Sequence, residues 1–323
     1  MTGQILTGTS MDDYPLTLTS IVERAERFHT DREVVSLRPS GTITRTTLGA
    51  CAGRARRLAG ALAALGVRGG DRVATLLWNQ SEHLELYFAV PAMGAVIHTL
   101  NPRLFPDELA FIIDDAQDTV IVVDESLLEV FDTFGAGHNF AHIIVVTHTG
   151  DVPAGMLDYD TLIADSKPVQ WPALGEHRAA AMCYTSGTTG RPKGVTYTHR
   201  ALVLHSLVAA LPDQLAVSAR DTILPVVPMF HANAWGLPYA AALAGASLVL
   251  PGPRLDPHIG SGTDMPVAEK ADMIFREASS TPARHRRSAL RESTDNRGCG
   301  HRRPSRRRAA SDAHVGRPTR FLL

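Results

Sequence analysis

The sequence predicts an α/β fold, with mostly parallel sheets flanked by helices and a disordered basic tail. Three observations predict it. Runs rich in Val and Ile alternate with helical apolar stripes along residues 14–257. The composition, 44% hydrophobic and 20% charged over 323 residues, is that of a globular chain and excludes collagen, coiled coils and wholly disordered proteins. The formal net charge of −1 hides a split: residues 261–323 carry 14 Lys+Arg against 7 Asp+Glu, whereas residues 1–260 carry 18 against 26.

The elements follow in order. Leu48, Cys51, Ala52, Ala55, Leu58, Ala59, Leu62 and Leu65 make one apolar face of a helix over Thr47–Leu65. Thr46 or Thr47 caps its start and Gly66 ends it. Arg72–Leu77 is a strand, and Asn79 with Glu82 forms a capping-box pattern for a helix running toward Val90. Val96–Leu100 is a strand, Pro106–Ala116 a helix, and Thr119–Val123 and His142–Thr147 are strands. Such alternation argues for βαβ units and a covered, largely parallel sheet.

Ala179–Tyr184 reads as a strand entering a loop, and Thr198–Leu211 as a helix ended by Pro212. Its Leu204, Leu207, Val208 and Leu211 are expected to face the core; His199 and His205 are given no chemistry. Ala234–Leu250 carries no charge, but Gly236, Pro238, Gly245 and Ser247 interrupt it, and it falls short of the ~20 apolar residues of a membrane span. A buried helix and then a buried strand, Leu248–Leu250, are expected, closed by a turn at Pro251-Gly-Pro253. Cys51, Cys183 and Cys299 lack disulfide or metal spacing, and the N-terminus does not read as a signal peptide, so a reducing, cytoplasmic setting is expected.

The densest chemistry lies in Tyr184-Thr-Ser-Gly-Thr-Thr-Gly-Arg-Pro-Lys-Gly194. Gly187, Gly190 and Gly194 let the backbone approach a ligand. Free N–H groups and the hydroxyls of Thr185, Ser186, Thr188 and Thr189 can surround phosphate oxygens, and Lys193 adds a positive charge. Lys193 is followed by Gly194, so this is not a Walker A loop. A Gly/Ser/Thr linker explains the small residues but not the entering strand or the Arg-Pro-Lys-Gly exit.

This string resembles the signature loop of the adenylate-forming superfamily, which includes acyl-CoA synthetases, luciferases and nonribosomal adenylation domains. A second block, Pro228-Met-Phe-His-Ala-Asn-Ala-Trp-Gly236, resembles that family's acyl-pocket motif. Gly69-Gly-Asp-Arg-Val73, Leu77-Trp-Asn-Gln-Ser81 and Leu100-Asn-Pro-Arg-Leu104 are similar to the fatty-acyl-CoA synthetase branch. The resemblance covers residues 14–257 and implies an incomplete AMP-binding domain. It also implies two half-reactions: a carboxylate attacks the α-phosphorus of ATP, and a thiol, that of coenzyme A, then displaces AMP. By resemblance, Thr185, Ser186, Gly187, Thr188, Thr189, Gly190 and Lys193 hold the β- and γ-phosphates, His231 lies beside the carboxylate and α-phosphate, and Trp235 and Gly236 shape the acyl tunnel. ATP, Mg²⁺ and coenzyme A are the implied cofactors and co-substrates, with a fatty or other carboxylic acid as substrate.

The resemblance stops partway. The family's Tyr-Gly-x-Thr-Glu block, which stacks on adenine and supplies the Mg²⁺-binding Glu, its ribose-binding Asp and its C-terminal domain with a catalytic Lys do not follow Trp235. Thr149-Gly150-Asp151 matches a family tripeptide but precedes the phosphate loop, a chance match. Residues 1–13 are therefore expected to be an N-terminal extension, 14–257 a partial adenylation domain, and 258–323 a disordered or out-of-frame tail. The tail has thirteen Arg and one Lys, Lys270, a mixture that a shifted frame in GC-rich DNA yields. The expectation is an acyl-CoA ligase by descent with impaired activity. Two alternatives are a non-catalytic nucleotide- or acyl-binding remnant and a nucleic-acid binder acting through the Arg-rich tail, which lacks aromatic interleaving.

Overall fold

A computed structural model describes residues 14–135, 137–185, 191–255 and 319–322. The chain runs through α1 (Leu18–Phe28), β1 (Glu33–Leu37), β2 (Ile43–Thr47), α2 (Leu48–Ala64), β3 (Arg72–Leu76), α3 (Ser81–Ala92), β4 (Val96–Thr99), α4 (Pro106–Ala116), β5 (Val120–Asp124), α5 (Leu128–Gly135), β6 (His142–Val146), β7 (Leu157–Asp158) and α6 (Tyr159–Ala164). It continues through β8 (Ala179–Thr185), β9 (Lys193–Thr198), α7 (His199–Ala209), β10 (Thr222–Pro225), α8 (Leu237–Ala244), β11 (Ser247–Leu250) and β12 (Thr319–Leu322). Thr47 caps α2 by accepting the Ala50 N–H at 3.2 Å, and Gly66, at φ +94°, follows its C-terminus.

Two sheets form. One has the order β7-β6-β5-β3-β4-β8-β9, the other β12-β10-β11-β1-β2. Neighbouring strands are parallel except β1 with β2 and β8 with β9. Alternation along the strands sorts the core into layers. Val73, Val120 and Val122 of the first sheet share one core with Val34, Ile223 and Leu248 of the second, together with α1, α2, α3 and α8. Ala74, Leu76, Ile121 and Val123 turn to the other face, against α4 and α5. Val35, Leu224 and Val249 form a small cluster on the far side of the second sheet. α3 is buried over its whole length, from Ser81 to Ala92.

Two expectations change. First, Asn79 and Glu82 do not make a capping box. Gln80 occupies the N-cap of α3, Glu82 pairs with Arg38, and the Asn79 amide is spent elsewhere. Second, α7 buries His199, Leu202, Val203, Ser206 and Ala209, whereas Leu204, Leu207, Val208 and Leu211 are exposed at 40–52%. Both stripes have helical spacing, and the buried one tolerates its polar members because each finds a partner, although His199 Nε2 has none among the described residues. His199 Nδ1 accepts the Leu18 N–H at 3.2 Å, and Ser206 Oγ donates to Leu202 O at 2.8 Å. Thr319–Leu322 form a strand parallel to β10. The remaining expectations for that tail, and those for residues 1–13, lie outside the described residues.

Ala234–Leu250 does contain a buried helix and strand, and no described helix is long and apolar enough to cross a membrane. Cys51 and Cys183 are buried free thiols.

The buried histidines make stability depend on pH. Burial, reinforced by Arg178, lowers the His199 pKa to about 4. Protonation at Nδ1 would also break the bond from Leu18. The ring is neutral in the fold, while the unfolded chain takes up its proton near pH ~6.5, so this contribution is complete above that pH and is lost as pH falls toward the folded value. The loss is on the order of 3 kcal/mol. Replacing His199 with Gln removes this titration. The urea midpoint of the native chain should therefore fall relative to His199→Gln between pH 6.5 and 4; parallel pH profiles would contradict the assignment.

Candidate active site

β8 enters the sheet beside β4, pairing Thr99 with Cys183, and emerges at Tyr184 and Thr185. β9 returns antiparallel, with Tyr184 opposite Gly194 and Thr185 opposite Lys193. The phosphate-loop string is therefore a hairpin whose mouth is a ladder: Lys193 and Gly194, expected in the loop, lie in β9. Ser186, Gly187, Thr188, Thr189 and Gly190 lie outside the described residues. The ladder fixes Thr185 and Lys193 side by side where the loop begins and ends. Lys193 is exposed and makes no ion pair with a described residue.

The hairpin base is anchored on α4 and β4. Tyr184 OH donates to Asp115 at 2.6 Å, and its ring lies 5.3 Å from that of His98. His98 Nδ1 donates to both carboxylate oxygens of Asp118, at 2.9 and 2.8 Å. The Arg191 guanidinium sits 4.9 Å over the Phe111 ring. Gly194 packs against the Tyr184 ring: a Cβ there would lie 3.0 Å from its Cζ, so the ring would have to shift to admit one. Burial and the neighbouring Asp115 hold the Tyr184 phenol well above its ordinary value, so it stays a donor.

A cavity of about 90 Å³ opens at the carboxyl ends of β4 and β8. Its walls include Thr99, Leu100 and Asn101 after β4, Tyr184, Thr185 and Pro192 from the hairpin, and Phe230 and His231. Ligands of open α/β sheets bind at such strand ends. The volume is well below the ~300 Å³ or more of a complete small-molecule site, so the described residues build part of one.

His231 reaches this cavity at the end of an irregular segment that leaves β10 at Pro225. Its side chain is exposed and makes no hydrogen bond with a described residue. Next comes a turn of the wrong hand: Ala232, Asn233, Ala234 and Trp235 have φ between 46° and 51°, and Gly236 has φ +67°. Left-handed L-residues cost roughly 1–2 kcal/mol each, so surrounding contacts must hold them. Asn233, 2% exposed, accepts from Tyr87 OH at 3.3 Å, and His205 Nε2 donates to Trp235 O at 2.7 Å. Burial pushes the Cys183 thiol up, and the Ala232 amide bonds to its sulfur.

The structure thus brings Thr185, Pro192 and His231 to one cavity. It does not bring Trp235 or Gly236 there: Trp235 is 47% exposed, and Gly236 starts α8 against His205, whose Cδ2 would lie 2.5 Å from an added Cβ. Sequence reasoning missed His205, Tyr87 and Asn79 as supports of this region, because their partners lie 30 to 150 positions away in the chain. No group of three His, Cys, Asp or Glu side chains among the described residues is arranged to hold a metal.

The profile of the AMP-binding enzyme family matches residues 21–263. The medium-chain-fatty-acid–CoA ligase of Ectopseudomonas oleovorans is 47% identical over 247 residues, covering 75% of this chain and 45% of that protein. The long-chain-fatty-acid–CoA ligase of Thermus thermophilus is 51% identical over 251 residues, covering 77% and 46%. Among solved structures, a long-chain-fatty-acid–CoA ligase of Archaeoglobus fulgidus superposes with a TM-score of 0.65 at 26% identity, covering 74% of this chain and 48% of that one. The chain spans about half the length of the relatives it matches.

Proposed function

Because the chain belongs to the AMP-binding enzyme family, we propose that it carries the pyrophosphate-side and carboxylate-side portion of a fatty-acyl-CoA ligase site. The observation that carries this reading is the shared cavity: the hairpin mouth and His231 face one volume at the strand ends. In the reaction, a fatty-acid carboxylate oxygen attacks the α-phosphorus of ATP. The bond to pyrophosphate breaks, and the acyl-adenylate then passes its acyl group to a thiol, that of coenzyme A, with release of AMP.

Charge builds on the departing pyrophosphate, and the chain's donors answer it. Lys193 supplies a full positive charge from β9, and Thr185 a hydroxyl from β8. Ser186, Thr188 and Thr189 supply further hydroxyls, and Gly187 and Gly190 backbone N–H groups. His231 hydrogen-bonds the substrate carboxylate or the α-phosphate oxygen beside it, a role supported by its exposure and by its having no hydrogen bond to a described residue. Trp235 and Gly236 act through the acyl side of the site, by fixing the turn that follows His231. Mg²⁺, when bound, neutralises phosphate charge; no described cluster fits it, and no step here depends on it. We place the chemistry in the cytoplasm, where Cys51 and Cys183 remain reduced thiols.

Calorimetric titration with ATP tests the loop. A charge-assisted hydrogen bond is worth about 1.5–3 kcal/mol. The double variant Thr188→Ala, Lys193→Ala should therefore bind ATP about tenfold more weakly or worse. Equal affinity in the native chain and the variant would remove the hairpin from the phosphate role.

A further inference from the structure

We propose that Asn79 is a positioning residue for His231, the side chain that holds the segment after β10 at the angle which presents His231 to the cavity. This rests on the reading of His231 as part of the acyl site. Asn79 lies just past β3, in the seven-stranded sheet, and is 4% exposed. Its amide is spent wholly on a segment about 150 residues away. Oδ1 accepts the Met229 N–H at 2.6 Å, while Nδ2 donates to Pro225 O at 3.1 Å and to Val227 O at 3.4 Å. Its backbone carbonyl accepts the Gly252 N–H at 2.9 Å, just after β11. One residue thus joins the exit of β3 to the exits of two strands of the other sheet.

The chemistry of the segment explains why it needs this. Pro225-Val-Val-Pro-Met-Phe-His231 contains two prolines and belongs to no sheet after Pro225. Its inward backbone groups therefore have no ladder partners, and a buried unpaired N–H or C=O is costly. Side chains of the β3–α3–β4 unit replace the ladder. Asn79 takes positions 225, 227 and 229, Tyr87 OH donates to Met229 O at 2.5 Å, and Thr99 Oγ1 donates to Phe230 O at 3.4 Å. Among these, Asn79 alone supplies both a donor and an acceptor. Only a planar amide set that way round matches an N–H at 229 and carbonyls at 225 and 227. Two residues beyond Met229, His231 closes on Pro228 O through its own N–H at 3.0 Å and enters the left-handed turn. A rotation of the 225–229 backbone would carry the imidazole out of the cavity.

The test uses the full chain with ¹³C-labelled histidine, the His231 ring resonance being assigned with His231→Gln. The ring is followed at fixed pH through addition of octanoate, in the native chain and in Asn79→Ala. The buried rings of His83 and His199 serve as internal reports of folding. The expected result is that Asn79→Ala moves the His231 resonance while those of His83 and His199 stay in place. Octanoate should shift His231 in the native chain with an apparent Kd at least fivefold lower than in the variant. Asn79→Asp, which keeps the acceptor for Met229 and loses the donors, should fall between the two; if Asn79→Ala does not fold, Asp is the variant measured, with the same displacement expected. An unmoved His231 in a folded variant overturns the proposal, and so does equal octanoate affinity. If octanoate leaves the native His231 untouched while Asn79→Ala still displaces the ring, the positioning role stands and the acyl-site reading of His231 fails.

Discussion

Pyrophosphate release by these 323 residues, supplied with a fatty acid and Mg-ATP, is expected to be undetectable. On the proposed reading, the hairpin and His231 offer charge and hydrogen bonds to the phosphates and the carboxylate. The residues that, by family resemblance, stack on adenine, bind the ribose and deliver the late lysine do not follow Trp235 in the sequence. Holding two reactants in attack geometry accounts for roughly 7–11 kcal/mol of a barrier in favourable cases. A triphosphate gripped near its β- and γ-phosphates and by a single imidazole, with adenine and ribose unheld, leaves the α-phosphorus poorly fixed, and most of that advantage goes. Losing even half of it corresponds to about a thousandfold in rate. A coupled pyrophosphate assay checks this directly. Turnover that disappears in Lys193→Ala would mean that the described cavity suffices and that the distant groups were given too much weight.

Gly252→Ala is expected to be among the most destabilising single-methyl substitutions in the chain. Gly252 has φ +58°, and a Cβ built on it would lie 2.1 Å from Leu37 O. That atom is backbone at the end of β1, and β1 is the parallel partner of β11, so no side chain can swing away to make room. The Gly252 N–H is the donor to Asn79 O, so displacement also strains the site. Left-handed strain of about 1–2 kcal/mol adds to an overpacking cost of about 1–3 kcal/mol. The sum, on the order of 3 kcal/mol, corresponds to roughly 6–12 °C in Tm for a domain of this size. Gly150→Ala separates the two causes: it has φ +89° but no atom within 4 Å of the added methyl. It should cost only the conformational part, about 1–2 kcal/mol. Equal melting losses for the two variants would contradict the steric account.

Elements whose apolar pattern had one solution were legible. α2 runs along its single stripe between Thr47 and Gly66, and Ala179–Tyr184 is a strand, the body of β8. α7 shows the limit. Its sequence carries two apolar stripes, and the one without polar residues looked like the core face. The fold buries the other, because Leu18 offers an N–H to His199 and the helix itself absorbs the Ser206 hydroxyl. Asn79 shows the same limit at a helix start: a local capping pattern competed with Met229, Pro225 and Val227, and the distant partners won. The mouth of the candidate site was legible as a motif, but its pairing was not. Nothing local says that Thr185 and Lys193 stand opposite each other in a ladder.

Taken alone, the sequence determined the alternation of strands and helices, the family to which the motifs point, and the residue types available for phosphate and carboxylate chemistry. Those properties are carried by local spacing and by side-chain identity, which the chain displays without folding. Tertiary structure alone decided that the hairpin mouth and His231 share a cavity, that Trp235 stays outside it, and that four residues after His231 wind left-handed. Each of these depends on hydrogen bonds between positions 30 to 150 residues apart. Such contacts form only when two sheets and the helices between them are packed, and their energy then outweighs what the local sequence would choose.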